Sequence, residues 1–139
     1  MRLYTIGYGG RGPAELTDLL ARNGVRQVVD VRLRPEKASM GCWTKAKTTD
    51  KGIERVLSKV GIGYRSLIEL GNPFLGHDDW SERYQRLIAA AGELLVESLR
   101  DVPQPFCLLC AEKRAAECHR RHIADYLHAT QGFEVIHLE

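Results

Sequence analysis

Five short apolar runs, each leading through a turn into a one-faced helical pattern or closing the chain, leave few architectures open to this sequence. The runs are residues 3–6, 25–31, 62–67, 106–110 and 133–138. Between them lie four amphipathic stretches. In the first, Pro13 suits the opening helical position, Leu16, Leu19 and Leu20 mark one face, and Gly24 ends it. Ile53, Val56, Leu57 and Val60 mark the second, stopped by Gly61. Tyr84, Leu87, Ile88, Ala91 and Leu95 mark the third, with Asp79 or Ser81 as its cap. The fourth is predicted over residues 115–130, with Ile123, Tyr126 and Leu127 inward and Gly132 as its stop. Strands alternating with helices require right-handed crossovers and a parallel sheet covered on both faces. The expected fold is α/β, a Rossmann-like three-layer αβα sandwich with a mainly parallel sheet of about five strands.

A length of 139 residues with 44% apolar content fits one domain spanning 1–139. No apolar run approaches the roughly 20 residues that span a bilayer, so no membrane partner is expected. The chain opens on a strand and a Gly-rich turn rather than a leader-like apolar stretch, which places the expectation in the cytoplasm. A formal charge of +2 declares no polyanion partner for the chain as a whole. Basic residues nevertheless cluster at Arg32, Arg34, Lys37, Lys45 and Lys47, and again at Lys113, Arg114, Arg120 and Arg121. Four cysteines without paired spacing exclude a disulfide scaffold and a zinc ribbon. The long polar stretch of residues 33–49 has the length of a lid or binding loop.

In a parallel sheet the strands' C-terminal ends share one edge, where ligands bind. That edge is expected to collect Gly7 to Gly10, Asp30, Arg32, Arg34, Cys110, Glu112 and His137. Alternation sends Cys107 and Cys110 to opposite faces, so their C-x-x-C spacing is no chelating pair, and Cys107 reads as core. Cys110 sits where the strand gives way to a loop. It is either a reactive thiol, favoured by the next helix N-terminus and Arg120, or a buried structural one.

His119 shares a helix face with Ile123 and Leu127, and reads as an acid–base group beside Cys110 or as a packed histidine on a carbonyl. Arg120 reads as an anion ligand at a helix N-terminus or as the partner of Glu112 or Asp30. On one helix, adjacent Cys118 and His119 project about 100° apart, and only Cys118 and His122 have chelating spacing. No metal and no cofactor are therefore expected. Gly7, Gly9 and Gly12 fit G-x-G-x-x-G, and Asp30 stands where a ribose-binding acid would. Pro13, Arg32 and the short chain weigh against a dinucleotide, so Gly7 and Tyr8 are expected to serve a simpler anion site.

These residues carry a resemblance. Leu3-Tyr-Thr-Ile-Gly7, Val29-Asp-Val-Arg32, Tyr64, Leu70-Gly71, Leu108-Leu-Cys110-Ala-Glu112, Cys118-His-Arg120 and Val135-Ile-His137 resemble the Domain of Unknown Function 488 family along nearly the whole chain. Tyr8-Gly9 stands where that family usually has His-Ser, and Leu70-Gly-Asn72 where Leu-Gly-Gly is typical. The resemblance implies the same fold and site, and lends no activity. A fainter likeness to rhodanese-type domains rests on Asp30-Val-Arg32 and on a cysteine ending a central strand. Glu112 and Glu117 disfavour the anionic persulfide of that chemistry.

Three functions follow as expectations. The first is an enzyme, a thiol- or acid/base-dependent transferase or hydrolase, that uses Cys110, Glu112 and His119 on a small anionic ligand or nucleotide held by Arg32, Arg120, Asp30, Gly7 and Tyr8. The second is a nucleic-acid-associated module in which Lys37, Lys45, Lys47 and Arg114 track phosphates. The third is a buried polar network without catalysis.

Overall fold

Phe106–Cys110 is apolar at every position and buried throughout, so this strand needs cover on both faces and takes the centre of the sheet. The computed structural model covers all 139 residues. In chain order the elements are β1 (Arg2–Gly7), α1 (Pro13–Arg22), β2 (Gln27–Asp30), α2 (Gly52–Ser58), β3 (Gly63–Ser66), α3 (Trp80–Leu95), β4 (Phe106–Cys110), α4 (Arg120–Gln131) and β5 (Glu134–Leu138). All five strands are parallel, in the order β3-β2-β4-β1-β5. This is the α/β three-layer architecture that the alternation demands.

Two apolar cores cover the two faces. Leu16 and Leu20 of α1 and Ile53 and Leu57 of α2 pack with Tyr4, Ile6, Val28, Cys107 and Leu109. On the other face, Tyr84 and Ile88 of α3 and Ile123 and Leu127 of α4 pack with Leu3, Val29, Leu108 and Cys110. Cys107 and Cys110 thus part to opposite faces, as strand alternation requires. α3 and α4 lie close because Gly92 has no side chain: a Cβ there would stand 2.5 Å from the Tyr126 ring.

The topology positions the site. From β2 the chain moves outward to β3 through α2; from β4 it moves the opposite way to β5 through α4, on the other face. Adjacent β2 and β4 therefore release their loops in opposite directions. The crevice between them is the switch point where ligands bind in open α/β sheets.

Three local expectations are corrected. The last helix begins at Arg120, not at 115: Ala115–Glu117 forms a single 3-10 turn, and Cys118 is extended, with φ −133° and ψ 147°. Arg120 imposes this break by donating to the carbonyls of Glu112 and Lys113, which folds the segment back on itself. Asp79 does stand at the N-cap of α3, but it makes no side-chain capping bond there; its carboxylate bonds Arg83, and Ser81 bonds His122. The 33–49 stretch is no free lid. Its Trp43 is buried, and the Lys45 N–H bonds the Pro35 carbonyl at 2.8 Å.

No helix is long and apolar enough to cross a membrane.

Candidate active site

One wall of the crevice is built on Asp30, fully buried at the end of β2. Arg32 grips its carboxylate through Nε at 2.9 Å and Nη2 at 2.6 Å, and Tyr64 of β3 donates to it at 2.5 Å. Arg32 Nη1 donates to the Trp43 carbonyl at 2.7 Å and to the Tyr8 hydroxyl at 3.3 Å. Four of the five guanidinium N–H groups are thereby engaged. The Tyr8 ring stacks on Trp43 at 5.1 Å and lies 5.2 Å from the guanidinium. Burial works against the Arg32 charge, but Asp30 outweighs it and holds the guanidinium more firmly protonated than usual. Burial, reinforced by Asp30, pushes the Tyr64 hydroxyl far above its ordinary range. This wall is satisfied but for one Arg32 N–H.

The facing wall is not. Cys110 at the end of β4, the extended Cys118 and the N-capping His119 bring two sulfurs and Nδ1 within 4.8 Å of one another. His119 Nε2 lies 2.8 Å from the Val31 carbonyl, an acceptor only, so Nε2 carries the proton and the Nδ1 lone pair faces the thiols. Nδ1 is 3.7 Å from Cys118 Sγ and 4.0 Å from Cys110 Sγ. Tyr84, held by the Leu70 carbonyl at 2.7 Å, sets its ring edge against the imidazole at 5.0 Å.

The two thiols share their protons unequally. Cys118 is pulled well below the usual thiol range, first by its hydrogen bond from Cys110, which outweighs the opposing effect of burial. Cys110 is pushed up by that same bond and by burial. The Arg120 N–H, opening α4, also points at Cys118 Sγ at 3.5 Å. A sulfur at a helix N-terminus is favoured as an anion. Glu112, exposed at the rim, stands 3.7 Å from Cys110 Sγ.

The first loop and Arg120 hold this geometry rather than offering free donors. The N–H groups of Tyr8 and Gly9 go to the carbonyls of Cys110 and Ala111, at 3.1 and 2.7 Å. A Cβ on Gly7 would stand 1.6 Å from the Glu112 carbonyl oxygen, so glycine is needed for the two loops to touch. The turn is therefore a loop clamp, not the anion cradle its glycines suggest, and Asp30 is sealed from any ribose. Arg120 has no exposed surface and meets neither Asp30 nor the Glu112 carboxylate. Its three nitrogens donate to the Thr5 hydroxyl and to the carbonyls of Glu112 and Lys113.

The two walls enclose a cavity of about 620 Å³ that Tyr8, Arg32, Cys110, Glu112, Cys118 and His119 all line. Exposed Arg34 and Lys37 bring positive charge to its mouth, and Asn72 and Trp80 close it from the segment before α3. Of the expected residues, Gly7, Asp30 and Arg120 stand behind the cavity surface. His137 lies apart, on Thr5 at 2.7 Å. Lys45, expected on a phosphate track, pairs with Glu54 at 2.5 Å. Sequence reasoning passed over Cys118, because it assumed an unbroken helix, and missed Asn72, Trp80 and Tyr84. The Asn72-Pro73 dipeptide, a turn signal in an irregular segment, was the one available hint.

Residues 13–127 match the family described as Domain of unknown function DUF488, and the chain belongs to it. No curated protein and no solved structure matches the chain.

Proposed function

We propose that this member of the DUF488 family is an enzyme that carries out thiol- or acid/base-dependent transfer or hydrolysis on a small anionic, phosphate-bearing substrate. One observation carries the reading. An imidazole of fixed tautomer and two thiols converge on the wall of a cavity whose mouth is cationic. Arg34 and Lys37 attract the anion and the remaining N–H of Arg32 receives it. His119 Nδ1 accepts a proton beside the Cys118 sulfur, and Glu112 at the rim is a second proton carrier. Arg120, Gly7 and Asp30 are positioning residues.

A concave site of this size suits a nucleotide-sized ligand better than a duplex. Lys45, one of the four residues of the alternative phosphate track, is engaged by Glu54, which favours the small ligand over that track. Four free cysteines suit a reducing compartment such as the cytoplasm.

The test is a titration of the metal-stripped protein with inorganic phosphate and a nucleoside 5′-monophosphate, followed by backbone amide shifts. Shifts should centre on residues 32–37 and 110–119. An Arg34→Ala/Lys37→Ala variant should weaken binding about tenfold and leave stability within about 0.5 kcal/mol, since both residues are exposed. Shifts scattered over the surface and insensitive to that variant would overturn the anion reading.

A further inference from the structure

We propose that Cys110, Cys118 and His119 form a binding site for one thiophilic divalent cation, zinc above all, with its fourth coordination position open to the cavity. This rests on reading the cluster as the reacting centre, and names what that centre holds.

The argument is first one of distances. With Zn–S near 2.3 Å and Zn–N near 2.0–2.1 Å, a tetrahedral ion sets its sulfur and nitrogen ligands about 3.6 Å apart and two sulfurs about 3.8 Å apart. Nδ1 stands 3.7 Å from Cys118 Sγ and 4.0 Å from Cys110 Sγ, and all three atoms lie within 4.8 Å. The two sulfur–nitrogen separations match a coordination tetrahedron to within about half an ångström, and the two sulfurs lie within 4.8 Å of each other, close enough for one ion to draw them in. The expectation of no metal depended on Cys118 and His119 sharing a helix. With Cys118 extended and His119 at the cap, both reach one point.

The second argument is chemical. Nδ1 has a single lone pair and two sulfurs face it, so it can accept a proton from only one of them at a time. A single cation satisfies all three donors. Two sulfurs and an imidazole select a soft or borderline ion; magnesium and calcium require oxygen cages.

The third is the surrounding shell. The Val31 carbonyl on Nε2 fixes the ring and its tautomer, as a metal-bound histidine requires. The Arg120 N–H supports Cys118 Sγ, and the Tyr84 ring blocks rotation of the imidazole. Three protein ligands with an open position facing a cavity is the arrangement of catalytic rather than structural zinc. Glu112 stands beside that position, 3.7 Å from Cys110 Sγ.

Cobalt(II) tests this on the full chain, reduced and stripped of metal. One equivalent should give the visible bands of tetrahedral cobalt together with sulfur-to-cobalt charge transfer, and zinc should displace it one for one. Cys118→Ser should weaken binding by about 100-fold or more, since even second-shell changes cost 10–100-fold. Cys42→Ser should bind like the parent. Because Cys110 ends the central strand, Cys118→Ser is the primary ligand variant. Its own unfolding curve shows that it is folded, and zinc should raise the Tm of the parent but not of this variant. Absence of stoichiometric cobalt binding at micromolar protein, octahedral spectra, or binding that Cys118→Ser leaves intact would overturn the site. The phosphate titration separates this from the functional reading. Cobalt failing while phosphate binds removes the metal alone, and phosphate failing while cobalt binds leaves the metal standing without an anionic substrate.

Discussion

The two walls of the crevice are built from equally polar residues and behave oppositely. On the β2 side, Asp30, Arg32, Tyr64, Tyr8 and Trp43 answer one another, carboxylate to guanidinium to hydroxyl and carbonyl, at 2.5–3.3 Å. On the β4 side, the sulfurs of Cys118 and Cys110 meet the His119 Nδ1 only at 3.7 and 4.0 Å. A satisfied network fixes shape, whereas a convergent set of donors without full partners is where a ligand or reaction gains energy. On the proposed reading, the first wall is mainly scaffold, lending one Arg32 N–H to the anion, and the chemistry belongs to the second.

The comparison breaks most visibly on stability. Asp30→Ala strands the Arg32 charge in a buried site and should destabilise by about 3–5 kcal/mol in urea unfolding. A loss under about 1 kcal/mol would mean that the wall is not structural. Gly7→Ala comes next. Its Cβ meets the Glu112 carbonyl at 1.6 Å, and separating the two loops should cost about 1–3 kcal/mol and displace both, visible as shifts at residues 110–113. Cys118→Ser should move stability by less than about 1 kcal/mol, as expected where no cavity is opened, while removing the reactive thiol. A large stability loss there would return the cluster to the scaffold.

The smallest effect concerns acid. His137 is half-buried on Thr5, and burial, with Arg120 and Arg121 nearby outweighing Asp125 and Glu139, holds its pKa below the usual histidine value. The unfolded chain then binds the proton first, so stability should fall modestly as pH drops below about 6.5. In His137→Gln that slope should flatten; an unchanged slope would assign it to other groups.

The fold was legible because its signals are local and repeated: Pro13, Gly24, Gly61 and Gly132 punctuate helices whose apolar faces recur at helical spacing. Strand alternation also sorted Cys107 from Cys110. What escaped was long-range. Nothing near Gly7 announces that a carbonyl 105 residues later presses on it. Arg120 looked like an anion ligand because its sequence position is a helix start, while its actual partners are carbonyls of a loop that it folds back itself. That same fold-back ends the helix early and turns Cys118 toward Cys110 and His119. A periodicity argument could not see this, since it assumed residues 115–130 to be regular.

The central claim is that the cysteine–histidine wall, and not the Asp30–Arg32 wall, is the reacting surface. Residue-resolved alkylation of the native, reduced, metal-stripped protein by iodoacetamide, read by mass spectrometry at all four cysteines, tests it most directly. Cys118 should react, a saturating phosphate-bearing ligand or one equivalent of zinc should slow it, and Cys107 should stay inert in the core. Labelling of half-buried Cys42 with Cys118 as inert as Cys107 would contradict the account.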